Sequence, residues 1–62
     1  MGHQYKIQYQ KFLNTWVLAE LTVHSPLEFA EFRGYVFQRG WLMDDGKTVI
    51  APGCIQFVVA VA

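Results

Sequence analysis

The sequence contains a single cysteine, Cys54, so no intramolecular disulfide can hold the fold. Its few cysteine and histidine residues form no metal-binding pattern, which leaves a structural metal without ligands. A chain of 62 residues forms one domain, residues 1–62, and buries only about 60% of the surface of its unfolded state. Either a very efficient core or association with another chain must therefore supply the stability.

Charged residues are also scarce. Five basic and five acidic residues give a formal net charge of zero and make up 16% of the chain, below the roughly 25% of an ordinary domain. A neutral chain lacks the long-range attraction that dedicated nucleic-acid binders and anionic-membrane binders use. No apolar run approaches the ~20 residues of a membrane-spanning helix, and no secretory signal pattern opens the sequence, so we expect no membrane association and a cytoplasmic location.

Apolar residues, by contrast, are abundant. They make up 53% of the chain, and aromatic residues make up 16%. A small sphere cannot bury so much apolar surface, and large exposed patches mark sites of interaction. The composition therefore predicts a homo-oligomer in which part of the apolar surface is covered by another copy.

The first third of the chain predicts a β-hairpin. Residues 5–11 alternate strictly between apolar and polar side chains, and residues 16–23 carry apolar side chains at every odd position. Helix-like spacing around residues 12–17 leaves a helical alternative. The β-branched residues at 17, 22 and 23 favour the strand.

A single helix is predicted over residues 26–39. Ser25 can cap its N-terminus, with Pro26 at the first helical position and Glu28 completing a capping box. Gly40 can end the helix in a left-handed conformation.

One stripe of this helix, formed by Phe29, Phe32 and Val36, should pack on the sheet. Gly34 leaves a second possibility, in which the helix stops early and residues 35–37 are extended. In that case the fold would be an all-β small barrel of the SH3-like or Sm-like kind.

Two further strand regions follow. The pair Asp45-Gly46 is typical of a two-residue type I′ turn, which would set 41–43 against 48–50. In the last strand the side chains of Ile55, Phe57, Val59 and Val61 share one face by alternation, and Val58 and Ala60 make the other face apolar. The prediction is an α+β fold of order β-β-α-β-β-β, an antiparallel sheet with one helix packed on it.

No residue is predicted to be catalytic or to bind a cofactor or a metal. His3 and His24 lie on different elements, the adjacent Asp44 and Asp45 fit turn chemistry, and Cys54 resembles a small buried apolar residue. We therefore expect a non-enzymatic interaction module that self-associates and that binds another macromolecule, with a protein as the possible partner. The expected interface residues are Leu27, Ala30, Gly34, Phe37, Val58 and Ala60.

Two alternatives remain open. Exposed aromatic and basic side chains, with Lys6, Lys11 and Trp16 as possible contacts, would suit single-stranded nucleic acid. A small-molecule site at a subunit interface would lie around Glu20, Trp41 and Arg39.

Overall fold

The computed structural model describes residues 2–61 as one helix on a three-stranded antiparallel sheet, with a second sheet of two short strands. The order β-β-α-β-β-β is confirmed. No barrel closes within the described residues, so the all-β alternative is wrong. The elements are β1 (His3–Phe12), β2 (Trp16–Ser25), α1 (Phe29–Arg39), β3 (Trp41–Leu42), β4 (Val49–Ile50) and β5 (Ile55–Val61), with a short 3₁₀ turn at Pro52–Cys54 before β5.

β1 is the central strand of the larger sheet, whose order is β2-β1-β5. β1 and β2 are each ten residues long and form a hairpin in continuous register, from His3 opposite Ser25 to Phe12 opposite Trp16. Asn14 turns the chain with a φ of 62°, a left-handed conformation that asparagine tolerates better than most residues. The helical alternative for this region is wrong.

The helix begins three residues later than predicted. Ser25 still belongs to β2, and its hydroxyl accepts a hydrogen bond from the amide of Leu27 at 3.1 Å, in a turn that precedes the helix. The phenol of Tyr5 donates to the carbonyl of Leu27 at 2.6 Å and ties this turn to β1. α1 therefore starts at Phe29, after Glu28, which makes no side-chain cap hydrogen bond. The predicted capping box is wrong.

The end of the helix follows the prediction. Gly40 has a φ of 80°, and its amide donates to the carbonyl of Val36 at 2.8 Å. Its ψ of −165° places it in a region that only glycine enters readily. Residues 35–37 are helical, so the early end at Gly34 is wrong.

The core lies between α1 and the sheet. Phe32 and Val36 are buried, as their helical spacing predicts, whereas Phe29 is only partly covered. The ring of Phe32 stacks on that of Tyr5 with 4.3 Å between centroids, and Trp41 packs on Phe32 at 5.6 Å. The buried apolar residues are Tyr5, Ile7, Val23, Phe32, Val36, Ile50, Ile55 and Val58.

A β-bulge interrupts the pairing of β1 with β5. Gln8 lies opposite Phe57, but the next residue, Tyr9, lies opposite Ile55. Gln56 is therefore an extra residue on β5, and the alternation of its side chains shifts by one position.

This bulge reverses the predicted faces of β5. Ile55 and Val58 are both buried, while Phe57 and Val59 are exposed on the other side of the sheet. The prediction that Ile55, Phe57, Val59 and Val61 share one face is wrong, because simple alternation does not continue through a bulge.

The second sheet has the predicted register, with Trp41 opposite Ile50 and Leu42 opposite Val49. This small β3–β4 hairpin follows the helix directly. It brings Ile50 into the core beside the helix end.

The turn of the β3–β4 hairpin differs from the predicted type I′. The carboxylate of Asp45 accepts hydrogen bonds from the amides of Lys47 (2.8 Å) and Thr48 (2.9 Å) and from the Thr48 hydroxyl (2.7 Å). Gly46 has a φ of 71°, whereas Asp45 does not have the positive φ that type I′ requires. The predicted turn type is therefore wrong, although its register is correct.

Two glycine-to-alanine substitutions should change the stability in opposite directions. Gly40→Ala places a Cβ against the carbonyl oxygen of Ile50 at a positive φ, and we expect it to lower the free energy of unfolding by at least ~2 kcal/mol. In Gly34→Ala the new Cβ meets no atom within 4 Å outside the neighbouring helix backbone, and alanine is the better helix former, so we expect the free energy of unfolding to rise by about 0.5–1 kcal/mol. Urea unfolding followed by circular dichroism measures both, and equal effects would contradict the assigned helix end.

Candidate interaction surface

The largest group of exposed apolar side chains lies at the turn between β1 and β2. Every residue from 11 to 18 is exposed. The rings of Phe12 and Trp16 lie 5.3 Å apart and form one apolar block. Four large side chains there have 59–62% of their surface exposed, and we call them the hairpin tip: Phe12, Leu13, Trp16 and Leu18.

The hairpin tip is uncovered for two reasons: Phe12, Trp16 and Leu18 point to the sheet face opposite the helix, and the helix is too short to reach the turn that holds Leu13. A ten-residue strand extends about 33 Å, whereas an eleven-residue helix is about 16 Å long. α1 lies over the half of the hairpin that holds Tyr5 and Ile7, which are buried. The half that ends in the tip extends beyond it.

The dimensions of the molecule reflect this extension. The principal extents are 39, 22 and 18 Å, and the radius of gyration is 11.5 Å, whereas a compact chain of this length has about 10.6 Å. The accessible surface is 4551 Å², and a compact monomer of this mass has about 4,100 Å². The chain therefore exposes more surface than its size requires.

A cleft of about 230 Å³ lies beside the tip, between β1 and the β3–β4 hairpin. Its floor is fixed, because Ile50 belongs to the core and Met43 and Cys54 pack against the core. Its lining is mostly apolar and consists of Tyr9, Gln10, Lys11, Met43, Thr48, Val49, Ile50, Ala51 and Cys54. Lys11 lines the cleft and the next residue begins the tip, but the rings of Phe12 and Trp16 point to the sheet face opposite the cleft.

The sheet face opposite the helix, which carries Phe12, Trp16 and Leu18 of the tip, also carries the exposed Phe57 and Val59. A polar group on this face interrupts it. Lys6 Nζ lies 3.5 Å from Glu20 Oε1, and the Gln8 amide donates to Glu20 Oε2 at 3.1 Å. The Gln8 hydrogen bond, and then the charge of Lys6, lower the pKa of Glu20, so this carboxylate is ionised at neutral pH.

Of the six residues predicted for an interface, three are buried or half-buried and three are exposed. Leu27 and Phe37 are half-buried against the core of their own chain, and Val58 is buried in it and has no surface to offer a partner. The other three, Ala30, Gly34 and Ala60, are exposed but small. This set offers much less apolar area than the hairpin tip, whose members Phe12, Leu13 and Leu18 were not among the predicted interface residues.

A signal for the tip is nevertheless present in the sequence. Phe12 and Leu13 precede the turn, and residues 16–18 continue it with three more large apolar side chains. In a two-residue alternation one of two neighbours must face away from the core. An apolar run on both sides of a hairpin turn therefore indicates exposed apolar surface.

The predicted nucleic-acid contacts do not share one face. Lys6 and Lys11 are five positions apart on β1, so they point to opposite faces of the sheet. Lys6 is paired with Glu20. Trp16 belongs to the hairpin tip, where Lys11 is the nearest base in the sequence.

The residues named for a small-molecule site are also separated. Glu20 lies on the uncovered face of the sheet, whereas Trp41 packs on Phe32 on the helix side. The guanidinium of Arg39 lies over the ring of Tyr35, 5.4 Å from its centroid.

The titratable residues are likewise dispersed. His3 Nε2 lies 3.7 Å from Glu28 Oε1 beside a cavity of about 370 Å³, away from His24, which is exposed near the end of β2. Cys54 is half-buried at the cleft. Within residues 2–61 no three side chains of histidine, cysteine, aspartate or glutamate are grouped to hold a metal ion.

Across the described part of the chain, no helix has the length and apolar character needed to cross a membrane.

Comparisons with protein-family models, with curated protein sequences and with solved structures find no match to this chain. Its function is therefore inferred from the geometry described above.

The turn beside the cleft should make the stability depend on pH. The hydrogen bonds from Thr48, and then that from Lys47, lower the pKa of Asp45 in the folded state, so the unfolded chain binds this proton more readily. The stabilisation is present at neutral pH and is lost as the pH falls through and below the ordinary aspartate range of about 3.9.

We expect Asp45→Ala to lower the melting temperature at pH 7, and this difference from the unsubstituted chain to narrow towards pH 3. The neighbouring Asp44→Ala is the matched control and should show little dependence on pH. Thermal unfolding followed by circular dichroism at the two pH values makes the measurement. A difference of the same size at both pH values would mean that the Asp45 carboxylate does not hold the turn.

Proposed function

We propose that this protein is a non-enzymatic interaction module that self-associates through its hairpin tip. The observation that carries the proposal is the concentration of exposed apolar side chains at one end of an elongated molecule. Exposed patches of this kind mark interaction sites in small proteins. The tip includes Trp16 and Phe12, and large aromatic side chains dominate the energetics of interfaces.

The energetic argument favours association over solvent exposure. Complete burial of a large apolar side chain contributes about 1.5–3 kcal/mol. The tip presents four such side chains, and each has more than half of its surface exposed to solvent. The tip is part of a regular antiparallel hairpin, so its backbone is already ordered before binding. Less conformational entropy is then lost on association.

Charge does not oppose the approach of a second copy, because the formal net charge is zero. The same neutrality counts against nucleic acid as the partner. The pairing of Lys6 with Glu20 removes one of the few bases from that role.

The proposal includes a second step, in which the assembly binds another macromolecule, with a protein favoured as the partner. Phe57 and Val59 support this step, because the polar group of Lys6, Gln8 and Glu20 separates these exposed side chains from the tip on the same sheet face. A cytoplasmic location also belongs to the proposal, supported by a single unpaired thiol that suits a reducing compartment.

Sedimentation over a dilution series tests self-association. We expect a concentration-dependent oligomer at micromolar concentrations and a dissociation constant that Trp16→Lys raises at least about tenfold, because a charge replaces a central apolar side chain. Leu42→Lys is the matched control: it introduces the same charge at a residue of similar exposure on the β3–β4 hairpin, and should leave association unchanged.

A protein that stays monomeric at every concentration would contradict the proposal. Dissociation by Leu42→Lys alone would move the interface to the β3–β4 hairpin. Tight binding of mixed oligonucleotides that weakens steeply with salt would favour the nucleic-acid alternative.

A further inference from the structure

We propose that the outer edge of β5 pairs with β5 of a second copy of this chain, so that two three-stranded sheets join into one antiparallel sheet of six strands. This contact lies apart from the hairpin tip and goes beyond the proposed function. The occupant of the edge is a second copy of the chain.

β5 is an edge strand whose outer main-chain groups have no strand beside them in the described part of the chain. The sheet order is β2-β1-β5, so β5 pairs with β1 on one side only. Its amides and carbonyls that point away from β1 form a row of donors and acceptors, which is a template for another strand. Phe57, Val59 and Ala60 are exposed, so the helix leaves this part of the strand accessible.

The usual devices that protect a sheet edge are missing from β5. Natural proteins protect edges with charged side chains, with proline or with a bulge that twists the strand away. Ile55–Val61 contains no charged residue and no proline, and its bulge lies at Gln56, close to its start. The five residues after the bulge are regular and are of types that favour extended structure. Nothing in residues 57–61 therefore opposes the addition of another strand.

The regular part of β5 is complementary to itself. When a strand pairs with its own copy in antiparallel fashion, a two-fold axis relates the copies, and directly opposite side chains point to the same face. An axis at Val59, the centre of residues 57–61, places Phe57 of one copy opposite Val61 of the other, on the face away from the helix. On the helix side, the buried Val58 lies opposite the small Ala60. Every opposite pair is apolar, and no like charges meet.

The other edge of the sheet, β2, is less suited to pairing with its own copy. It carries Glu20 near its centre, and this ionised carboxylate is paired with Lys6. Antiparallel pairing of two β2 strands about their centre would bring two Glu20 carboxylates close together, and like charges across a strand pair are destabilising. Charge therefore distinguishes the two edges and favours β5.

Edge pairing also leaves the polar group of the open sheet face in water. The added strand lies beside β5, whereas Lys6 and Glu20 lie on β1 and β2. The cost of desolvating paired charges, which opposes the stacking of a second sheet, does not arise. Five paired residues span about 17 Å, so the contact belongs to the small class of interfaces and we expect a reversible dimer.

A disulfide at the two-fold axis tests the pairing directly. Cys54→Ala removes the only thiol of the chain, and Val59→Cys then introduces a single thiol at an exposed residue. The Cα atoms of directly opposite residues lie about 4.5–5.5 Å apart, a separation that a disulfide spans. Under mild oxidation at micromolar concentrations we expect a covalent dimer joined at position 59.

Two matched controls in the Cys54→Ala chain locate the link. Thr22→Cys is exposed on the same face of the sheet but lies on β2. Phe57→Cys lies on β5, but its counterpart in the other copy is four positions away along the strand. Both should form a covalent dimer at least about tenfold more slowly than Val59→Cys, because their thiols are too far apart in the paired state.

Amide hydrogen exchange gives a second measurement that needs no substitution in β5. It is made on the Trp16→Lys chain, in which the tip contact is weakened. The amides of Ile55–Val61 should exchange more slowly at high protein concentration than at low concentration, because pairing gives the outward amides acceptors. The amides of β2, at the other edge, are the internal control and should show no such dependence.

The outcomes separate the edge contact from the tip contact. Loss of all association in Trp16→Lys, with no protection of β5 at any concentration, would overturn the edge pairing and leave self-association through the tip standing. Links at position 59 and protection of β5, in a Trp16→Lys chain that associates as tightly as the unsubstituted chain, would support the edge pairing and overturn the tip proposal.

Three further results would overturn the pairing as described. Equal rates of linking in all three cysteine variants would mean random collision, and links at position 57 in place of 59 would overturn the two-fold axis at Val59. Protection of β5 that appears only when an extended apolar peptide of foreign sequence is added would assign the edge to a foreign strand.

Discussion

The difference in length between the helix and the hairpin determines the rest of this structure. An eleven-residue helix rises about 16 Å, while the ten-residue strands that it packs on extend about 33 Å. Beyond the helix, the β3–β4 hairpin packs near the same face of the sheet as far as Tyr9, which is partly buried. Beyond that point no described element reaches the sheet. The helix-side residues of this end, Lys11 and Val17, are exposed for this geometric reason, whereas Phe12, Trp16 and Leu18 are exposed because they point to the opposite face of the sheet.

This geometry separates the residues that hold the fold from the residues that are free for contacts. Stacking of Tyr5 on Phe32, the hydrogen bond from Tyr5 to Leu27 and the close approach of Gly40 to Ile50 all lie in the covered half. The hydroxyl of Tyr5 remains a donor at neutral pH, since burial and then nearby negative charges raise its pKa. Changes at the tip touch none of these contacts, so an interface can be altered there without loss of the core.

The sequence predicts the elements well because their side-chain periods are strong. Strict alternation identified the first hairpin, and helical spacing identified Phe32 and Val36 as buried. Prediction from these periods fails where a local feature interrupts them. The Ser25 hydroxyl bonds to the Leu27 amide and delays the helix, and the extra residue Gln56 reverses the faces of β5. Alternation also places Phe12, Trp16 and Leu18 on the sheet face away from the helix, but of these three only Trp16 was named from the sequence as an exposed contact.

On the sheet face away from the helix the exposed apolar side chains form two groups with a polar group between them, and this division bears on specificity. On the uncovered sheet face, Phe57 and Val59 lie beside Gln8 and Lys6, their neighbours across the strand pair. Stacking a second sheet on this face would remove the Lys6–Glu20 pair from water, and desolvation of paired charges is costly. The hairpin tip has no such polar partners among its side chains. A chain with little charge can therefore direct association to one end of this face, because the paired charges disfavour burial of the apolar group beside them.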